Sequence, residues 1–165
     1  MNIYYSENDL KSIISLVEKN KFKKIYITGN MRTGKSHFCR KFTEQTNNYE
    51  FIELDKERKL NPGKSRNEVL SEVVNKNKNK SYILEHYDLL NKNYFGKNTL
   101  EVWEKEADIL IFLNPKREGI RNGFDYSLGA YFVEKFEKLN GKIIYRNIDT
   151  GTYVKCMNKS DKSNE

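Results

Sequence analysis

The sequence predicts an α/β fold, a three-layer α/β/α sandwich built around a mostly parallel five-stranded sheet. Three observations carry this expectation. Short β-branched and aromatic runs alternate with segments of helical period along most of the chain. Those runs are continuously apolar rather than alternating, as expected of strands covered on both faces. The length of 165 residues, 37% hydrophobic and 13% aromatic, suits a single core. One domain is expected over residues 1–157, followed by a polar tail over 158–165 that has nothing to pack.

From the N-terminus, Ser6 and Asp9 make a capping-box pattern ahead of Leu10, Ile13, Ile14 and Val17, which predicts an amphipathic helix to about Lys19. Lys24–Thr28 reads as a buried strand and Lys35–Thr46 as a helix, with Phe38 and Phe42 four residues apart. Tyr49–Asp55 reads as a second strand that ends in acidic residues, and "KERKLNPGKS" as a loop broken by Pro62 and Gly63. Ser65 caps a helix whose apolar face is Val69, Leu70, Val73 and Val74. Ser81–His86 is a third strand, Thr99 caps a brief helix, and Asp108–Pro115 is the most apolar strand, expected at the sheet centre. Leu128, Tyr131, Phe132, Phe136 and Leu139 line a long helix stopped by Gly141. "KIIYRNI" is a fifth strand, and "TYVKCM" a candidate sixth.

Composition narrows the function classes. No apolar run approaches the ~20 residues of a membrane span, and the first residues lack the basic flank and apolar stretch of a secretory signal. Two cysteines, Cys39 and Cys156, exclude a disulfide framework or a four-cysteine metal site, so a cytoplasmic setting without a membrane partner is expected. The net charge of +7 raises nucleic acid as a partner. Against that, both signs are spread along the chain, and lysine recurs with asparagine everywhere, as in Asn75–Lys80.

The specific signal is Gly29-Asn30-Met31-Arg32-Thr33-Gly34-Lys35-Ser36, which satisfies G-x-x-x-x-G-K-[ST] between a strand and a helix. Glycines let successive backbone N–H groups face one phosphate, and the helix that begins near His37 adds its N-terminal dipole. Lys35 is expected at the β- and γ-phosphates and the Ser36 hydroxyl on Mg²⁺. Among acidic residues, Glu85 stands at the carboxyl end of the third strand as the second candidate metal residue. Asp55 stands past the second strand, placed to accept a proton from a hydroxyl acceptor. Asp108 begins its strand and reads as a cap. His86 reads as a pocket wall, with no H-x-x-x-H spacing for zinc.

These eight residues and their setting resemble the P-loop NTPase superfamily. The order "IELD … YILEH … ADILIFLNP … R-x-x-x-R" resembles its small nucleoside and nucleotide kinases, of the adenylate kinase-like, DNA topology modulation protein-like branch. The resemblance implies a lid after the fourth strand in which Arg117 and Arg121 close on the transferring phosphoryl group. Glu85 departs from the Asp usual in the metal-supporting role. The resemblance further implies an ATP- and Mg²⁺-dependent phosphotransferase, with a nucleotide donor and a small-molecule acceptor. The alternative is an ATPase or nucleotide switch that serves a nucleic-acid or protein partner. ATP is favoured over GTP because no N-K-x-D motif is present.

Overall fold

The computed structural model describes residues 5–29, 33–86, 105–113, 142–147 and 150–157. Among them are α1 (Glu7–Asn20), β1 (Lys24–Gly29), α2 (Lys35–Gln45), β2 (Glu50–Glu53), α3 (Leu54–Leu60) and α4 (Arg66–Lys76). The strands β3 (Tyr82–Glu85), β4 (Ile109–Leu113), β5 (Lys142–Asn147) and β6 (Thr152–Cys156) complete the set. The expected helices around Thr99 and over Leu128–Leu139 lie outside the described residues.

The strands form one α/β sheet in the order β2-β3-β1-β4-β6-β5. β2, β3, β1 and β4 pair in parallel. β6 runs antiparallel to both β4 and β5. β5 therefore points the same way as the first four, and the sheet is mixed and six-stranded. This corrects the five-stranded expectation. "TYVKCM" is a full strand inserted between the fourth and fifth, which a β5–β6 hairpin allows because adjacent antiparallel strands need only a short turn.

Two apolar cores cover the two faces of the sheet, and the strand period of two sorts residues between them. Ile25 and Ile27 join Ile83, Ile109, Ile111 and Leu113 beneath Leu10, Ile13 and Val17 of α1 and Phe38 and Phe42 of α2. Tyr26, Leu84, Leu110 and Phe112 face the other way, onto Val69, Leu70, Val73 and Val74 of α4. Covering on both faces is why these strands read as unbroken apolar runs. β4 is buried along its whole length.

The second strand is shorter than its sequence suggests. It ends at Glu53, and the chain turns at once into α3, so the first half of the stretch expected as a loop is helical. Asp55 consequently sits in the first turn of α3, not on the strand. Leu54 supplies the reason: it is buried in the core, while Lys56 and Lys59 face water and pair with Glu53 and Asp55.

Two aspartates tie the sheet, one at each end of its parallel strands. Asp108 accepts hydrogen bonds from the Lys23 and Lys24 backbone N–H groups at 2.7 and 2.9 Å, so it anchors β4 to β1 in the manner of a cap. Asp9 closes the capping box with Ser6. It also accepts from the Tyr145 hydroxyl and from Asn147 Nδ2, the latter at 2.9 Å, joining α1 to the β5–β6 hairpin.

Candidate functional site

Parallel pairing brings the carboxyl ends of β1, β2 and β3 level. Ile27 stands opposite Glu85, and Glu85 opposite Glu53. In open α/β sheets this edge is where ligands are held. The chain leaves β1 here, passes Thr33 and Gly34, and enters α2 at Lys35.

The two glycines of the turn do different jobs. Gly34 has φ 92° and ψ 19°, the left-handed region, and is the residue from which α2 starts. Gly29 is needed for packing. A Cβ built there would fall on the Leu113 carbonyl oxygen, because Gly29 and Leu113 are register partners in the β1–β4 pair. The sequence reading gave Gly29 a role in curling the backbone around a phosphate. Close approach of two strands is the constraint the structure adds.

Lys35 and Ser36 open α2 against the end of β3. The Ser36 hydroxyl lies 3.1 and 2.8 Å from the two oxygens of Glu85 and donates to that carboxylate. Lys35 is only 5% exposed. Burial lowers its pKa from 10.5 to about 8, and the negative fields of Glu85 and Cys39 offset part of that fall. Glu85 responds in the opposite sense. Burial pushes its carboxyl up, the Ser36 hydrogen bond and Lys35 pull it down, and Glu53 raises it again. The result is a raised carboxyl pKa beside a lowered ammonium pKa, both dominated by desolvation.

Of the residues that the sequence nominates, Lys35, Ser36 and Glu85 are brought together. Thr33 is fully buried beneath the turn. His37 is engaged through Nδ1 by the Tyr5 hydroxyl. Asp55 is separate from this cluster: its side chain is 44% exposed and pairs with Lys59 at 3.6 Å along α3. Asn30, Met31, Arg32, Arg117 and Arg121 lie outside the described residues.

Sequence reading missed Arg40, which shapes the field at Glu85 from α2, and weighed Glu53 as an acidic candidate after the second strand without placing it beside Glu85. Only strand register places them there. It also missed the setting of His86, which is 4% exposed and whose Nδ1 has no hydrogen-bond partner among the described residues. Beside the edge strand β2, Arg40, Phe51, Glu53, Lys56 and Glu57 line an open groove of about 340 Å³. Among the described residues, no three His, Cys, Asp or Glu side chains gather as a metal centre would require. No described helix is long and apolar enough to cross a membrane.

No family model and no curated protein matches the chain. Two solved structures show a likeness. One is described as the structure of a Pnkp1/Rnl/Hen1 complex, at 22% identity and TM-score 0.44, covering 64% of this chain and 41% of that one. The other is described as the methyltransferase domain of bacterial CtHen1, at 12% identity and TM-score 0.37, covering 89% of this chain and 96% of that one. The present chain thus spans less than half of the first of these. These findings overturn the resemblance to P-loop small nucleotide kinases: no family model supports it, and both matching structures carry Hen1 in their descriptions. The ATP-dependent phosphotransferase, its ATPase or nucleotide-switch alternative, and ATP and Mg²⁺ as cofactors fall with it. Their physical basis was narrow, since one eight-residue turn was specific and the strand order that accompanied it is common to many α/β proteins. At such identities and TM-scores, the two likenesses put no activity in their place.

Proposed function

We propose that the chain binds a phosphorylated small molecule at the carboxyl ends of β1 and β3, with Lys35 as the cationic contact. The observation that carries this reading is the position of Lys35. It is an almost fully buried ammonium at the first residue of a helix, where the helix dipole already presents positive charge. A cation there is opposed by both desolvation and the dipole, and Glu85 answers only part of that cost. An anion resting on the Gly34–Ser36 backbone adds a field of the opposite sign beside this ammonium. Glu85 positions the Ser36 hydroxyl and limits how much negative charge the site accepts. The spread of the positive charge over the chain favours a small molecule over a nucleic acid.

Calorimetric titration of the full chain tests the reading, using inorganic phosphate, sugar phosphates, a phosphate-ended oligonucleotide and, as a phosphate-free control, S-adenosylmethionine. Saturable binding of at least one small phosphate, weakened about tenfold or more in Lys35→Ala, is the expected result. Binding of the control alone, or phosphate binding indifferent to Lys35→Ala, would overturn it.

A further inference from the structure

The groove beside β2 is built from three elements. Arg40 comes from α2, Lys56 and Glu57 come from α3, and the four residues of β2 complete the wall. β2 ends the sheet and pairs only with β3 among the described residues. The Glu50 N–H donates to the Ser81 carbonyl at 3.0 Å, on the β3 side. Phe51, one residue on, therefore turns its backbone N–H and C=O to the open edge. The groove volume of about 340 Å³ falls at the small end of small-molecule sites, roughly 300–1,000 Å³.

The charges on these walls are only partly matched. Glu53 pairs with Lys56 at 3.2 Å, and Glu50 pairs with Lys80 at 3.7 Å. Arg40 and Glu57 both line the groove, yet neither has an ion-pair partner among the described residues. One guanidinium on α2 and one carboxylate on α3 are left over, beside the outward backbone of Phe51. An anion by itself would meet the carboxylates of Glu50, Glu53 and Glu57. A cation by itself would meet Arg40 and Lys56. A small zwitterion answers both charges, because its carboxylate fits the guanidinium fork and its ammonium donates to Glu57.

We propose that this groove binds a small zwitterion of the amino-acid class, its carboxylate on Arg40 and its ammonium on Glu57. The free N–H and C=O of Phe51 supply further contacts to the same two groups. The side chains of Phe51 and Ile52 are committed to the two cores. Little apolar wall is therefore left, and the ligand carries a small or polar side chain. The site does not depend on the role given to Lys35.

NMR of the nitrogen-labelled full-length protein reads the Phe51 N–H and Arg40 Nε–H signals, the latter assigned by Arg40→Gln. The common L-amino acids are titrated singly to millimolar concentration, at neutral pH and constant ionic strength. At least one is expected to move both signals saturably, and inorganic phosphate is expected to leave it in place. Its amide lacks the carboxylate and its N-acetyl derivative lacks the ammonium, and each is expected to bind about tenfold more weakly or worse. A similar loss is expected in Arg40→Gln and Glu57→Gln, read at Phe51. Circular dichroism confirms that both variants are folded, and the paired analogues test the central point on the unsubstituted chain. The proposal is overturned if no amino acid moves the signals saturably, if either single-charge analogue binds as tightly as its parent, or if phosphate displaces the ligand.

Discussion

Replacing Lys35 with methionine tests the electrostatics of the candidate site most directly. Methionine keeps the length and apolar stem of the side chain and removes the ammonium. The fall in the Lys35 pKa from 10.5 to about 8 corresponds to about 3 kcal/mol by which folding opposes the charged form. The sign comes from linkage. A lysine whose folded pKa is depressed contributes stability above its unfolded value, and that contribution is lost as pH falls through the folded value. At about pH 7 the full penalty is present, so Lys35→Met without ligand is expected to be about 1–3 kcal/mol more stable than the parent. By about pH 9.5 the folded lysine is mostly neutral, and the gap should shrink to roughly half. Urea unfolding of both proteins at the two pH values measures this, and comparison between them cancels the tyrosines and cysteines that titrate in both. A bound phosphate should then stabilise the parent alone. A Lys35→Met protein less stable than the parent near neutral pH, or a gap independent of pH, would refute the reasoning.

Other contacts lead to further expected outcomes. Gly29→Ala places a methyl group on the Leu113 carbonyl and is expected to cost more than about 3 kcal/mol in urea unfolding, since two paired backbones must separate. Gly34→Ala forces a left-handed residue at the start of α2 and should cost about 1–2 kcal/mol in the same measurement. Asp9→Ala removes the acceptor for Ser6, Asn147 and Tyr145 and is expected to cost about 2–4 kcal/mol. Burial pushes the Asp9 carboxyl up, but the bonds from Tyr145, Asn147, Ser6 and Thr150 together hold it below 3.8. Its contribution is therefore present above that value and lost as pH falls through the lower folded pKa, so the stability difference between parent and Asp9→Ala should narrow on acidification.

Much of the local structure was legible in the sequence. Ser6 with Asp9, and Ser65 ahead of the Val69–Val74 face, announce helix starts through bonds made within one turn, and both are present. Apolar runs announce buried strands because covering on both faces leaves no polar side. The glycine-bounded turn between β1 and α2 was readable for the same local reason. The end of β2 was not, because Asp55 continues the acidic pattern of the strand while the burial of Leu54 starts a helix. The family inference failed at another level. It extended one specific turn to a whole chain through strand order, which carries little information about chemistry.

What the sequence by itself determined, among the described residues, is most of the strands and helices, α3 excepted, and which of their faces are apolar, together with a turn of glycine, lysine and serine at a strand end. Tertiary structure alone decided that Gly29 must admit the Leu113 carbonyl, that Ser36 meets Glu85, and that β6 inserts between β4 and β5. It also decided that His86 is buried, where desolvation and then the fields of Arg58 and Arg66 lower its pKa. The physical reason is range. Caps, periodicity and turns act over a few residues and leave their mark in local spacing. Register and burial join residues tens of positions apart, and they set the charge, solvation and donors of the site only once the sheet has closed around them.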